Sequence, residues 1–312
     1  MPESEQKNKR SFGDYLRIFS CGFLMGSADI VPGVSGGTMA FILNIYDELL
    51  ESIRAFTGKE LFSSVFKFDL KKAWNTLPWP FLLALGIGIL SAIALFSTPI
   101  KWMLENRLSL ILAFFFGLVL ASIITVIGRV KNWKATRYIA LIAGTAAGWM
   151  IVGMQALANP PSAGWYIVLC GAVAISAMIL PGISGSFILL LMGKYGYILD
   201  TVNALKKGAD LAHNLTTMLL FGIGLVLGIA GFVRILKYLL SKFHDVTIAA
   251  LIGFMIGSLR KVWPWKVADK IDNANILPQN FGSEFWFAVG LAVLGLVIVL
   301  AIEFVAAKRE NN

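Results

Sequence analysis

The sequence predicts an all-α polytopic membrane protein built as two inverted repeats, each a re-entrant broken-helix hairpin followed by three transmembrane helices. Three observations predict it. Apolar residues make up 57% of the chain and charged residues only 14%, a balance far from that of ordinary soluble domains. The stretch Ser27 to Tyr46, SADIVPGVSGGTMAFILNIY, returns 149 positions later as Ser176 to Tyr195, SAMILPGISGSFILLLMGKY. Lys and Arg are divided among the loops so that the re-entrant topology gathers most of them on one side of the membrane.

The first 17 residues, MPESEQKNKRSFGDYLR, are polar and mixed in charge, and the apolar run that follows reaches Asp29 and Pro32 without a cleavage signature. No removable signal peptide is expected. Tyr15 to Val31 and Thr38 to Leu50 read as two apolar arms around PGVSGG. Each is shorter than the about 20 residues a bilayer crossing needs, and proline and glycine between them break the helix inside the apolar run. Residues 51–80 mix Phe56, Phe62, Phe66 and Trp74 with Arg54, Lys59, Lys67, Lys71 and Lys72, the pattern of an amphipathic segment on the cytoplasmic membrane surface, with a plain solvated loop as the alternative.

Phe81 to Leu104, Leu108 to Gly128 and Tyr138 to Leu157 follow as spans, the first two joined by a very short turn and therefore expected to run antiparallel. After the uncharged loop NPPSAG, Trp165 to Leu180 and Phe187 to Leu199 form the second hairpin. Leu215 to Leu240, Val246 to Leu259 and Phe285 to Val305 supply the last three spans, the middle one short unless Arg260 and Lys261 snorkel. A second self-similarity, at 136 positions, matches Gly86-Ile87-Gly88 to Gly222-Ile223-Gly224, Lys101 to Lys237, and Gly117 with Ser122 to Gly253 with Ser258. One transmembrane domain over residues 1–312 therefore contains repeat one, about 15–157, and repeat two, about 165–305.

Charge decides how the repeats are related. With re-entrant hairpins and a cytoplasmic N-terminus, 18 Lys and Arg lie inside and 9 outside; with hairpins that cross, the division becomes 11 and 16. The re-entrant topology satisfies the positive-inside rule. It also returns the C-terminus to the cytoplasm and brings the two hairpin tips toward each other near the membrane middle, where transporters of this architecture hold their substrate. The net charge of +9 is spread in short clusters between apolar runs, which reads as topology signal and lipid-surface contact; no nucleic-acid partner is expected.

Non-helical backbone at membrane depth leaves N–H and C=O groups that only protein or a watery cavity can satisfy. The second arm of each hairpin starts just after a Ser-Gly pair, so Gly36, Gly37 and Thr38, and Gly185, Ser186 and Phe187, direct amides at the tip. Helix starts of this kind attract anions, phosphate above all. One terminus contributes only about 0.3 to 2 kcal/mol, far below the cost of dehydrating a phosphate, so further donors are needed. Candidates are the hydroxyls of Ser35 and Ser184, which serve equally well as helix caps, and the cations Arg234, Lys237 and Lys101, the lysines being also natural snorkelling anchors. Lys194 is an additional cation. Asp29, a carboxylate costing about 2.5 to 3.5 kcal/mol within an apolar arm, is a coupling-ion candidate, with proton relay and capping of the break as its other readings.

Cys21 and Cys170 superpose under the 149-residue displacement and read as one small packing position used twice. The only histidines are His213 and His244. No His-Asp-Ser grouping, metal-ligand spacing or phosphate-binding loop is present in the sequence, so no catalytic residue, metal or cofactor is expected.

On SADIVPGVSGGT, SAMILPGISGS and the order of spans between and after them, the sequence resembles a family of bacterial membrane proteins, long known only as a domain of unknown function and now regarded as polyprenyl-phosphate translocases. The resemblance runs from about Tyr15 to Val305. It implies a carrier in the bacterial inner membrane that returns undecaprenyl phosphate from the outer to the cytoplasmic leaflet for envelope synthesis. It also implies binding residues Ser35, Gly36, Gly37 and Thr38 in the first hairpin and Ser184, Gly185 and Ser186 in the second. The repeats differ where Ser186 replaces Gly37 and Met178 replaces Asp29, so the two tips need not share a role. Expected partners are the polyprenyl phosphate, membrane phospholipids and a coupling ion, proton or sodium. An ion-coupled transporter of a small anion is the alternative, and a membrane lipid phosphatase a weaker one.

Overall fold

A computed structural model describes residues 10–30, 35–56, 58, 63–64, 67, 69–267 and 274–310. Among them the regular secondary structure is helical, apart from one isolated bridge between Lys266 and Asn275. Helix α1 (Phe12–Asp29) opens with a capping box in which the Asp14 amide donates to Ser11 Oγ and the Ser11 amide donates to the Asp14 carboxylate at 2.7 Å. This arrangement satisfies two amides that have no partner within the helix. The first Pro-Gly break, Pro32-Gly33, lies outside the described residues. Beyond it come α2 (Gly36–Ile42) and α3 (Tyr46–Phe56); the surface segment contributes α4 (Leu70–Thr76). Three long helices follow: α5 (Trp79–Asn106), α6 (Leu108–Ile127) and α7 (Ala135–Gly153). The second half repeats the order with α8 (Gly164–Ile179), α9 (Gly185–Leu191), α10 (Tyr195–Lys206), α11 (Leu211–Lys242), α12 (His244–Ser258) and α13 (Ser283–Glu310).

Two sequence expectations need correction. The arms Thr38 to Leu50 and Phe187 to Leu199 are not single helices; each breaks again, at Asn44 and at Gly193, where φ is 58° and 68°. These residues are equivalents under the 149-position displacement. Asparagine and glycine tolerate the left-handed conformation that other residues avoid at a cost of about 1 to 2 kcal/mol, and one such residue suffices to turn the chain. The third span is also displaced toward the N-terminus: α7 runs from Ala135 to Gly153, and Leu157 instead donates its amide to the Leu191 carbonyl at 2.8 Å. The short middle span of the second half is 15 residues, His244–Ser258.

Among the described residues five helices are long and apolar enough to cross a membrane, within α5, α6, α7, α11 and α13. Their apolar outer faces, such as Ile139, Ile142 and Met150 on α7 and Leu219 and Leu227 on α11, are exposed, as lipid contact requires. The core lies between them, with Leu112 and Val126 of α6 and Ile252 and Met255 of α12 fully buried at its centre.

Glycines set the register of the four main helix pairs, because a Cβ at each would meet the backbone of its neighbour. Gly22 faces Leu85 and Gly26 faces Ile89, while Gly88 faces Phe19; α1 and α5 therefore run parallel. The same relation holds for α8 and α11, where Gly171 faces Phe221 and Gly228 faces Ala172. In α6 and α13, Gly117 faces Ala292 and Ser109 donates to Glu284 at 3.0 Å, again a parallel pair. In α7 and α12, Gly144 faces Ala250, Gly257 faces Trp149, and Arg137 pairs with Asp245 at 3.9 Å. The third long helix of each half thus packs on the second long helix of the other.

The ends of these helices define two faces. Arg10 pairs with Glu48 and its guanidinium lies over the Phe81 ring, bringing together the starts of α1, α3 and α5. Arg129, past the end of α6, donates to the Phe41 carbonyl at the end of α2. The first hairpin therefore comes back to the face on which it began, the terminal face. The second does the same on the opposite face, where Tyr166, one turn into α8, donates its hydroxyl to the Met192 carbonyl at the end of α9 at 2.9 Å.

Candidate functional site

The two broken hairpins meet. Ser35, with no side-chain exposure, caps α2 by accepting from the Gly37 amide at 3.1 Å, while its hydroxyl lies 3.3 Å from the carbonyls of both Met178 and Leu180 across the interface. Thr38 Oγ1 accepts from the Gly182 amide at 2.8 Å, and Tyr46 donates its hydroxyl to the Ile179 carbonyl at 2.9 Å. Gly182 has φ of +100°, and a Cβ there would stand 2.8 Å from Ser258 Oγ, so the break admits only glycine without strain. Irregular backbone buried at this depth has its polar groups answered by the other hairpin.

The second tip is built alike but bonded differently. Ser184 caps α9 by accepting from the Phe187 amide at 3.2 Å, and its hydroxyl lies 2.7 Å from that of Ser186. Where the first repeat has buried Tyr46, the second has Tyr195, 37% exposed. The tips are thus related in sequence and unequal in contact.

Asp29 sits in the first tip with its carboxylate 2.7 Å from the Gly36 amide, which donates to it. It holds the position at the start of α2 that an anionic ligand would take. Of the cations predicted from sequence, Lys237 pairs with Glu51 at 2.9 Å and lines, with Tyr46, Arg129 and His244, a cavity of about 280 Å³ at the terminal face. Arg234 lies on the exposed side of α11, and Lys101, with 76% of its side chain exposed, is within 3.9 Å of Glu105 near the end of α5. The structure brings the hairpin residues together, while Lys237 and Lys101 are engaged by Glu51 and Glu105 rather than by the tips. Lys194 is buried beneath Tyr197, its Nζ 4.9 Å from the ring centroid.

Other cations stand closer to the second hairpin, and two of them, Arg260 and Lys261, are expected from sequence only as membrane anchors. Arg260, Lys261 and Lys266 line a cavity of about 490 Å³ on the opposite face, whose wall includes Phe187, Leu190 and Leu191 of α9. A signal was available: Arg260 and Lys261 directly follow a span too short to cross a bilayer by itself, with Lys266 five residues further on. No grouping of three or more metal-ligating side chains exists among the described residues.

Helices long enough to cross a bilayer, packed around two broken hairpins whose tips touch, define a polytopic membrane protein of the transporter class. The chain belongs to the undecaprenyl phosphate translocase-like family, whose profile matches residues 25–277. It is 38% identical over 313 aligned residues to the polyprenyl-phosphate transporter of Vibrio cholerae, covering 95% of this chain and 98% of that protein. A polyprenyl-phosphate transporter of Staphylococcus aureus is 31% identical, with 93% and 96% covered. No solved structure matches the chain.

Proposed function

We propose that this protein translocates polyprenyl phosphate across the bacterial inner membrane, returning the carrier lipid from the outer to the cytoplasmic leaflet. The observation that carries the reading is the near full-length similarity to two polyprenyl-phosphate transporters, joined to the contact between two broken hairpins. It is a transporter and not an enzyme.

With α1 parallel to α5, α8 parallel to α11 and α7 parallel to α12, and with the chain reversing at Arg107, in the short link 128–134 and at Phe243, α1 and α8 point in opposite directions. This supports inverted repeats, about 15–157 and about 165–305. The positive-inside rule then assigns the terminal face to the cytoplasm, with both termini and the amphipathic segment 51–80 on that side. Alternating access follows as a rocking of the paired hairpins about their contact, the prenyl tail remaining in lipid.

The headgroup is held at the tips by Ser35, Gly36, Gly37 and Thr38 from one side and Ser184, Gly185 and Ser186 from the other, with Lys237, Arg234 and Lys101 available on the path to and from it. Asp29 gives this site its coupling. Its carboxylate and a phosphate compete for the Gly36 amide and repel each other, so a proton or sodium ion taken up by Asp29 favours phosphate at the tip. In proteoliposomes, undecaprenyl phosphate should move between leaflets faster with protein than without, and inorganic phosphate should not be carried. Transport of inorganic phosphate without lipid movement would instead support the small-anion reading.

A further inference from the structure

Inverted repeats exchange conformations when access alternates, so a contact made by one half and missing from its equivalent in the other marks the state that is held. The displacements of 149 and 136 positions match α3 with α10 and α5 with α11, residue by residue. Contacts within each half have counterparts. Glu48 in the first turn of α3 pairs with Arg10, which lies over the Phe81 ring at the start of α5. The equivalents of Glu48 and Phe81, Tyr197 and Thr217, have their hydroxyls 3.1 Å apart on the opposite face.

Contacts between the halves do not. Helix α3 of repeat one lies against α11 of repeat two, where Lys237 Nζ donates to the Glu51 carboxylate at 2.9 Å. At the start of the same helix, Tyr46 donates its hydroxyl to the Ile179 carbonyl of the second hairpin. The equivalents of Glu51 and Lys237 are Asp200 and Lys101, again a carboxylate and an ammonium, on α10 and near the end of α5 at the opposite face. The 149-position displacement is fixed by the hairpin motif, and five residues beyond Tyr46 and Tyr195 it still lays acid on acid. Asp200 and Lys101 do not pair here. Asp200 is exposed, and Lys101 is 3.9 Å from Glu105 on its own helix. Tyr195, the equivalent of Tyr46, is 37% exposed. One half is thus drawn onto the other at the terminal face alone.

From this asymmetry we infer that Glu51–Lys237 and Asp200–Lys101 are the two latches of one two-state device. The first closes the terminal face, as in this structure; the second closes the opposite face in the exchanged state, in which Tyr195 donates to the Ile30 carbonyl as Tyr46 here donates to that of Ile179. The hairpin tips are bonded to each other, so they rock together and one latch opens as the other closes. An ion pair whose partners are 40% and 67% exposed biases two states only about two- to fivefold, and so opens readily in each cycle. Glu105 has Ser241 as its equivalent. Lys101 therefore has a competing acid one turn away on its own helix, while the matching place beside Lys237 is neutral, which favours the terminal latch. The inference rests on the inverted repeats and the rocking motion proposed above, and holds whatever the cargo.

The test is zero-length coupling of carboxylates to lysines by a water-soluble carbodiimide in the unaltered full-length protein in nanodiscs, with the products read by mass spectrometry. The Glu51–Lys237 amide should dominate, with the Asp200–Lys101 amide as a minor product of the exchanged state. Glu51→Gln opens the first latch and should raise the Asp200–Lys101 product about two- to fivefold. Glu51→Lys combined with Lys237→Glu restores an ion pair of reversed sense and should return that product to the parental level. Asp210→Asn, which removes an exposed acid on the opposite face outside both latches, should change neither product. Absence of the Asp200–Lys101 product from both the unaltered protein and Glu51→Gln, or a yield indifferent to Glu51, overturns the paired latches; the measurement on the unaltered protein does not depend on a variant folding. Coupling as expected in a protein that moves no polyprenyl phosphate keeps the latches and removes the cargo. Reaction of cysteines introduced at Asn132 and Ser162 from the same side of the membrane removes the inverted repeats, and the latches with them.

Discussion

Ser35, Ser184, Asp29 and Tyr46 carry the local chemistry of the hairpin contact, and each makes a separable contribution. Replacing Ser35 or Ser184 with Ala removes a helix cap and should cost about 0.5 to 2 kcal/mol per site, measured by thermal unfolding in a fixed detergent. A loss of prenyl phosphate affinity beyond that seen in stability-matched variants would assign the hydroxyls to the ligand as well. Asp29→Asn retains an oxygen for the Gly36 amide and removes the charge, so the fold should persist while transport loses its response to an ion gradient. Asp29→Leu leaves that amide unanswered in a buried tip, with a cost of about 1 to 3 kcal/mol. Tyr46→Phe should cost about 1 kcal/mol, because the ring still packs edge-on against Phe41 and only the bond to the second hairpin is lost. The residue roles were partly legible in sequence. A Ser before two glycines announces a cap, and a carboxylate in an apolar arm announces a special position, but the partner of either depends on where the other repeat lies.

Among elements, the helix pairs depend on glycine at their crossings. Gly117 and Gly253 are equivalents under the 136-position displacement, and a Cβ at either would fall 1.9 Å from Ala292 O or 2.0 Å from Leu141 O. Gly117→Val and Gly253→Val should therefore each separate a helix pair and cost about 1 to 3 kcal/mol or more, seen as a lower unfolding temperature. Self-similarity identified these glycines as equivalent without revealing what they face. The exchange of third helices between halves is a long-range relation, set by packing and absent from any local pattern. The second break in each hairpin was hidden for a different reason. A single left-handed residue, Asn44 or Gly193, turns the chain inside an apolar run whose hydrophobic pattern continues across it, and hydropathy registers no interruption. Gly193→Ala, with Leu157 O only 2.5 Å from the new Cβ, should cost at least about 1 kcal/mol.

For the whole molecule, composition and the doubled P-G-x-S-G core made the helical membrane class legible, because both are properties of the chain and not of its contacts. Cation placement was not. Lys237 stood out in sequence through its match to Lys101, yet it pairs with Glu51, while Lys261 and Lys266 entered the cavity from a loop whose course the sequence does not show. The inverted arrangement predicts that cysteines introduced at Asn132 and at Ser162 react with a membrane-impermeant reagent from opposite sides. The most direct measurement of the central claim is leaflet-resolved movement of undecaprenyl phosphate in liposomes containing the purified protein. Protein-dependent transfer, absent for farnesol, is the predicted result. Transfer no faster than in protein-free liposomes, with the protein folded and correctly inserted, would contradict it.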